Sequence, residues 1–152
     1  MSIKINGSNS QTGNIKSNIN KENTRVGSSS NSSFSSQLRH QAFQNQNEML
    51  KSMAEDIVKQ GERLSGKVDI AELRTYKRMI SEFLEEAVRS FARFSKESFM
   101  DRRGRHRLYA VVKRVNSELE ELTQEILKQE KDHLKIIGKI EDIRGLILDM
   151  IL

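Results

Sequence analysis

The feature that most constrains the fold of this chain is an apolar ladder in its C-terminal third. Six aliphatic residues follow one another at spacings of 4, 3, 4, 3 and 4, namely Leu108, Val112, Val115, Leu119, Leu122 and Ile126. This spacing is typical of a helix that buries one stripe against other helices. A second apolar run extends from Ile140 to Ile151, and the chain contains no proline that would break either helix. The ladder therefore predicts an all-α protein.

The composition excludes several kinds of chemistry and of location. The chain has no Cys, which excludes disulfides, thiolate metal sites and cysteine nucleophiles. It has no run of about 18 apolar residues, so we expect no membrane insertion. No apolar core follows the first basic residue, so no secretory signal peptide is predicted. We therefore expect a cytoplasmic protein.

The first 35 residues differ in character from the rest. They contain ten Ser, seven Asn and three Gly, with a few apolar residues scattered without helical or strand period. Such a segment cannot bury enough apolar surface to offset the entropy of ordering it. The sequence therefore predicts a disordered tail over 1–35 and a folded domain over 36–152.

Two helices are predicted in the first part of that domain. The first should run from Ser36 to Leu64, with its apolar face supplied by Leu50, Met53, Ile57 and Leu64. The second should begin at Asp69, which can cap it, with Glu72 three residues later placed to reach back. It should end near Met100, and it carries a broad apolar stripe that includes Tyr76.

The third helix should begin between Arg105 and Leu108, and two continuations are open. A single helix could reach Ile151, because Ile126, His133, Ile137 and Ile140 keep one heptad phase across the polar residues 128–133. Alternatively the chain turns near Glu130 and a fourth helix runs from His133 to Met150. One long helix would leave the terminal isoleucines uncovered, so we expect the turn and a four-helix bundle.

Several stretches of the sequence resemble the YaaR family. They are Leu73–Lys77, Ile80–Leu84, Arg103–Arg105, Leu108–Val112, Leu119–Thr123, Lys128–Glu130 and Ile140–Ile147. YaaR proteins are small bacterial proteins of uncharacterised function, and the resemblance covers roughly residues 48–151. It implies a four-helix bundle. It implies no known activity and no catalytic residues.

A basic cluster is the first candidate site. It surrounds Gly104 at the predicted helix junction and consists of Arg102, Arg103, Arg105 and Arg107 with His106, followed by Lys113 and Arg114. Guanidinium groups bind phosphate bidentately, and a helix N-terminus adds backbone N–H donors. Tyr109 is the one aromatic side chain nearby, so a nucleic acid would be held by its backbone. Alternatively these arginines pair with the numerous glutamates of the chain.

No metal, cofactor or catalytic site is predicted. Glu130 and His133 have a spacing used in di-iron bundles, but His40 and His106 have Gln37 and Arg103 three residues before them, so no second pair exists. The chain offers no nucleophile and base that could be paired. We therefore expect no catalytic residues, no cofactor and no enzymatic activity.

The second candidate site is the apolar end of the chain. Gly145 lies within an apolar helix, and a glycine there costs about 1 kcal/mol relative to alanine, so close approach of another helix is expected. Ile147, Met150 and Ile151 then form a candidate partner face, either for another protein or for a second copy.

Taken as a sequence, the chain favours a non-catalytic interaction or adaptor protein whose partner is an unknown protein or itself. The alternative is a nucleic-acid or phosphate-binding module that uses the basic cluster. An exported helical protein, with the tail as an uncleaved signal, is a third possibility, and the family resemblance argues against it.

Overall fold

The computed structural model describes residues 15–95 and 101–151, with side chains over 33–94 and 102–151. It contains four α-helices, which are α1 Ile15–Gly66, α2 Ile70–Ser95, α3 Asp101–Leu127 and α4 His133–Ile151. No residue of these described ranges lies in a strand. The all-α prediction and the number of helices are confirmed.

The chain divides into two compact units, Met1–Ala42 and Phe43–Leu152. In the first unit, every described side chain is exposed, including Phe34 and Leu38. Helix α1 begins at Ile15, earlier than the predicted start at Ser36. Of the tail predicted over 1–35, residues 1–14 lie outside the described residues.

The second unit contains the hydrophobic core. All four helices contribute to it, with the largest fully buried side chains being Tyr76, Phe83, Ile57, Leu64, Ile80, Leu122, Ile126, Ile136, Ile143, Ile147 and Val115. The predicted faces of the first two helices and the lower part of the ladder are therefore confirmed as core. Leu108 and Val112, at the top of the ladder, are half-buried.

Contacts within this unit establish an up-down-up-down order of the helices. An added Cβ on Gly61 of α1 would lie 3.1 Å from Cγ2 of Ile140 in α4 and 3.4 Å from the ring of Tyr76 in α2. At the other end, Gln46 Nε2 of α1 donates to Glu86 Oε1 of α2 at 2.5 Å. Helices α1 and α2 therefore run antiparallel, and so do α3 and α4, since Asp132 contacts Glu125 and Lys139 contacts Glu118, as predicted for a four-helix bundle.

Asp69 stabilises the first connection. Its Oδ1 accepts from the backbone N–H of Ala71 at 3.3 Å, which confirms it as the cap of α2. Glu72 was expected to reach back to Asp69. Its Oε2 instead accepts from Nε2 of Gln60 at 2.5 Å, so this carboxylate joins α2 to the buried amide of α1.

The chain turns between α3 and α4, as expected. Asp132 caps α4, because its Oδ1 accepts from the N–H groups of Leu134 and Lys135 at 3.1 and 3.3 Å. The predicted continuity of the heptad phase across this turn is wrong. His133 and Ile137 are exposed, and α4 buries Ile136 instead, because the turn resets the helical phase.

Candidate anion-binding surface

The basic cluster lies inside α3 and not in a loop at its junction. Because α3 begins at Asp101, residues Arg102 to Arg107 occupy its first two turns, and Gly104 is an ordinary helical residue. The prediction of a helix start near Arg105 was wrong by about one turn. A single glycine weakens a helix by about 1 kcal/mol but does not end it.

The cluster is exposed, and it forms no ion pair with the side chains that the structure describes. All six arginine and lysine residues are exposed, namely Arg102, Arg103, Arg105, Arg107, Lys113 and Arg114. Ion pairs do form elsewhere in the described part of the chain, yet none of them involves a member of this cluster. No Asp or Glu occurs in the sequence between Arg102 and Ser117. Among the described side chains, these arginines therefore form no ion pair with a glutamate.

Helical geometry sorts the cluster into two neighbouring rows. Residues four and seven apart lie on one side of a helix. Arg103, Arg107 and Arg114 form one row, and Arg102, His106, Tyr109 and Lys113 form the other. We call these two rows the cationic face of α3 and count with it the exposed Arg105, which lies beside the apolar ladder, three residues before Leu108 and seven before Val112. The opposite side of the helix carries the buried ladder from Val115 to Ile126.

Tyr109 adds an aromatic group to the cationic face. Its side chain is 55% exposed and lies between His106 and Lys113 in the second row. Aromatic rings are usually more buried than this. Within the face, Tyr109 can therefore offer a flat apolar surface to a partner held by the surrounding cations.

The other half of α3 has the opposite charge, and three of its carboxylates, those of Glu118, Glu121 and Glu125, pair with lysines within the bundle. Lys139 of α4 donates to Glu118 Oε2 at 2.9 Å and also to Glu121. These contacts, above all the one to Glu121, raise the pKa of Lys139 above its usual value. The same lysine lowers the pKa of Glu121. The acidic half of α3 is thus used for packing, while the cationic half is not.

Comparison with known proteins places the whole bundle in one family. The model of a family described as a protein of unknown function, DUF327, matches residues 4–151. A Bacillus subtilis (strain 168) relative, described as uncharacterized protein YaaR, is 27% identical over 118 residues, which cover 78% of this chain and 81% of that protein.

The chain belongs to the YaaR family.

Solved structures of similar proteins have the same fold. The crystal structure of BH1478 from Bacillus halodurans has a TM-score of 0.64 and 31% identity, and covers 74% of this chain and 92% of that one. Protein TM1646 from Thermotoga maritima, assigned to DUF327, has a TM-score of 0.64 and 29% identity, with 77% and 96% covered. The YaaR-family match begins at residue 4, well before the start near residue 48 that the resemblance indicated.

The predicted partner face at the chain end is largely internal in this YaaR-family bundle. Ile147 is fully buried, and Met150 and Ile151 are half-buried and pack against the core. Ile147 cannot contact a partner while the bundle is folded, because its side chain completes the contact of α4 with the other helices. A role of Met150 and Ile151 in partner binding stays a prediction.

The two glycines of α4 do not mark close packing within the chain. A Cβ added at Gly138 or at Gly145 would meet no atom within 4 Å. The predicted close approach of another helix at Gly145 is therefore wrong for the helices of this chain. Gly61, on α1, is the glycine at which helices do meet closely.

The structure shows no grouping of side chains suited to a metal ion within the described ranges. Glu130 lies in the turn and His133 opens α4, so the two do not share a helix face as their spacing suggested. Among the residues that the structure describes, no helix combines the length and apolar character that crossing a membrane would need.

Proposed function

We propose that this YaaR-family chain is a non-catalytic, cytoplasmic binding module that holds a nucleic-acid backbone against the cationic face of α3. The observation that carries this proposal is the set of six exposed cations without an ion pair among the described residues. Among the described residues, none of these cations has a carboxylate partner to give up when it takes a phosphate. Phosphate contact is therefore favoured by charge and by the guanidinium geometry of five of the six residues.

Backbone contact, rather than base readout, suits this surface. Arginine and lysine on one exposed helix face can neutralise successive phosphates, and such contacts position a protein without reading sequence. Tyr109 is the one described aromatic side chain on this face, which allows one stacked base at most. We therefore expect little sequence preference and a strong dependence on salt.

The experiment measures binding of a labelled oligonucleotide at several salt concentrations. Arg102, Arg103 and Arg105 are replaced together by Gln, which keeps the helix propensity of arginine. We expect affinity to fall at least about tenfold, and the slope of log K against log[salt] to decrease by about two to three, one for each lost phosphate contact.

A matched variant controls for net charge. Arg63, Arg74 and Lys131 are also exposed and lie at the other end of the bundle, so replacing them by Gln removes the same charge from a different place. That variant should keep most of the affinity. Equal losses in both variants, or no binding by the unaltered chain at low salt, would overturn the proposal.

The second candidate function is an adaptor that binds another protein, and an apolar groove favours it. The groove lies between α2 and α3, measures about 510 Å³ and has Leu84, Val88, Ala92 and Val112 among its lining residues. An amphipathic helix of a partner could lay its apolar face there. A partner recovered from nuclease-treated lysate and lost on Val88→Glu would support this function over nucleic-acid binding. Partners lost on nuclease treatment would favour the first.

A further inference from the structure

The outer side of α1 and α4 forms a second distinctive surface, which we call the α1–α4 face. The two helices enclose a groove of about 530 Å³. Its apolar lining comes from Ala54, Val58, Leu148 and Ile151, and charged side chains of α1 and Arg144 of α4 border it. This face lies away from the cationic face of α3, so the two surfaces can be tested separately.

Helix α4 contributes exposed apolar and small residues to this face. Leu134 is 82% exposed and Ile137 41% exposed, and their helical spacing, 14 and 11 residues before Leu148, places both on the same side of α4 as that groove residue. Gly138 and Gly145 lie on the exposed side of the same helix with open space before them. Exposed helical glycines lower the stability of a single chain, so close approach of something outside it would account for them.

Helix α1 contributes a row of charges whose order is self-complementary. Lys51, Glu55, Lys59 and Glu62 lie on one side of α1 and alternate in sign. Within the described residues none of the four is in an ion pair. When the row is read backwards, every sign is reversed. An antiparallel copy of α1 would therefore meet an opposite charge at all four positions.

The centre of the charge row on α1 and Gly145 on α4 lie at the same height along the bundle, so one two-fold axis can pass beside both. The charge row has its centre between Glu55 and Lys59, and the residues that line the same groove from α4 include Arg144 and Leu148. Gly145 lies between those two in sequence. A two-fold axis between two copies that passes the centre of this charge row therefore also passes Gly145. At that point the two copies of α4 would approach each other most closely.

We propose that the α1–α4 face binds a second copy of this chain in a two-fold symmetric dimer. Lys51 faces Glu62 of the other copy, and Glu55 faces Lys59, so each contact occurs twice. The antiparallel α4 helices meet at Gly145, with Leu134, Ile137 and Leu148 covered on either side. The charge order gives register and orientation, and the apolar side chains and glycines give the close contact.

A charge swap tests the pairing in the full-length chain by sedimentation equilibrium. Glu55→Lys places two lysines opposite each other at two symmetric positions, and Lys59→Glu does the same with two glutamates. Each single change should weaken dimerisation roughly tenfold or more. The double variant E55K/K59E restores opposite charges across the axis and should recover most of the loss. A swap that recovers nothing would overturn the proposed register.

A glycine substitution supplies an independent test. Gly145→Gln should raise the melting temperature of the dilute monomer, because glutamine is the better helix former and open space surrounds this position. The same change should weaken dimerisation, because the side chain stands between the two α4 helices. These two effects have opposite sign, so a general loss of folding cannot imitate them.

The oligomeric state of the unaltered chain is measured first. A concentration-dependent monomer–dimer equilibrium that both Glu55→Lys and Gly145→Gln weaken would support the proposal. A monomer at every soluble concentration, or a dimer that neither change affects, would overturn it and leave the α1–α4 face to another protein. Nucleic-acid binding by the cationic face of α3 could hold or fail in either case.

Discussion

Glu125 is the one buried charged residue in the described part of the chain, and it holds the α3–α4 turn together. Its side chain is only 4% exposed. Its two carboxylate oxygens accept from Nζ of Lys128 at 2.8 Å and from the backbone N–H of Asp132 at 3.2 Å, with Lys135 at 3.6 Å. A buried carboxylate is tolerated here because cations and a backbone donor surround it. These contacts, first that to Lys128, lower the pKa of Glu125.

We predict that Glu125→Gln lowers the melting temperature by several degrees at neutral pH. The neutral amide loses its attraction to the two lysines and cannot accept all the same hydrogen bonds. Because the folded pKa is lowered, the contribution of Glu125 to stability is fully present above the pKa of an unfolded glutamate. It is lost as the pH falls through the lower, folded value.

Thermal unfolding between pH 7 and pH 2 measures this effect. The difference in melting temperature between the unaltered chain and Glu125→Gln should shrink as the pH falls. Glu120→Gln is the control, since Glu120 is exposed on the same helix and forms no ion pair within the described residues. A difference that is constant with pH would contradict the role given to the Glu125 charge.

Tyr76 gives the opposite case of a polar group that the core keeps neutral. It is 1% exposed, and burial, with the nearby charge of Glu141, raises the pKa of its phenol. The apolar stripe of α2 predicted Tyr76 as a core residue, which is confirmed. A phenol that does not ionise in the physiological range is a packing group and not a base.

At the scale of the helices, the two connections of the bundle depend on aspartate caps. Asp69 was predicted from its sequence context, because Glu72 and an apolar run follow it. Asp132 was missed, although it stands immediately before the fourth helix. The start of the fourth helix at His133 was predicted and is confirmed, but its cap was not assigned to Asp132.

We predict that Asp132→Ala lowers the free energy of unfolding by about 1 kcal/mol. The N–H groups of Leu134 and Lys135 lose their side-chain acceptor, which is the usual cost of removing an N-cap. Urea denaturation followed by circular dichroism measures it. Asp142→Ala, at an exposed position inside α4, is the control and should change stability by less.

The sequence predicted the helices and the core better than it predicted the surfaces. Periodicity identified Val115, Leu119, Leu122 and Ile126 correctly as core residues, because burial on one side of a helix makes apolar residues recur every three or four positions. Periodicity could not divide the terminal apolar run into buried and exposed residues. Ile147 and Leu148 are equally apolar, and only the positions of the other helices make one of them core and the other a groove residue.

The start of α3 could not be located from local composition. Four arginines around Gly104 are as common in solvated loops as in helix ends, and propensity alone does not separate them. The sequence did show the cationic cluster itself. It could not show that the cluster forms no ion pair among the described side chains, because that depends on which side of the bundle each glutamate faces.

At the scale of the whole molecule, stability depends on a core shared by all four helices. Ile143 is fully buried at the middle of α4, while Ile137, on the same helix, is 41% exposed. The two residues have the same side chain in different surroundings. They therefore offer a matched pair for measuring what burial contributes in this bundle.

We predict that Ile143→Ala lowers the free energy of unfolding by about 2–5 kcal/mol, the usual range for emptying a core position. Ile137→Ala should cost well under half of that in dilute monomer. Chemical denaturation of both variants tests this difference. Equal losses would mean that α4 does not pack with Ile143 inward.

The short connections between antiparallel helices bear on how the chain reaches its fold. Residues 67–69 and 128–132 each join two neighbours, so α1 with α2 and α3 with α4 can pair as local hairpins. Low sequence separation between contacting residues favours rapid folding. The chain also has no proline and no cysteine, so neither prolyl isomerisation nor disulfide exchange can delay it. Refolding of the isolated chain should then finish in one fast step, and a slower phase that speeds up with concentration would report two copies meeting.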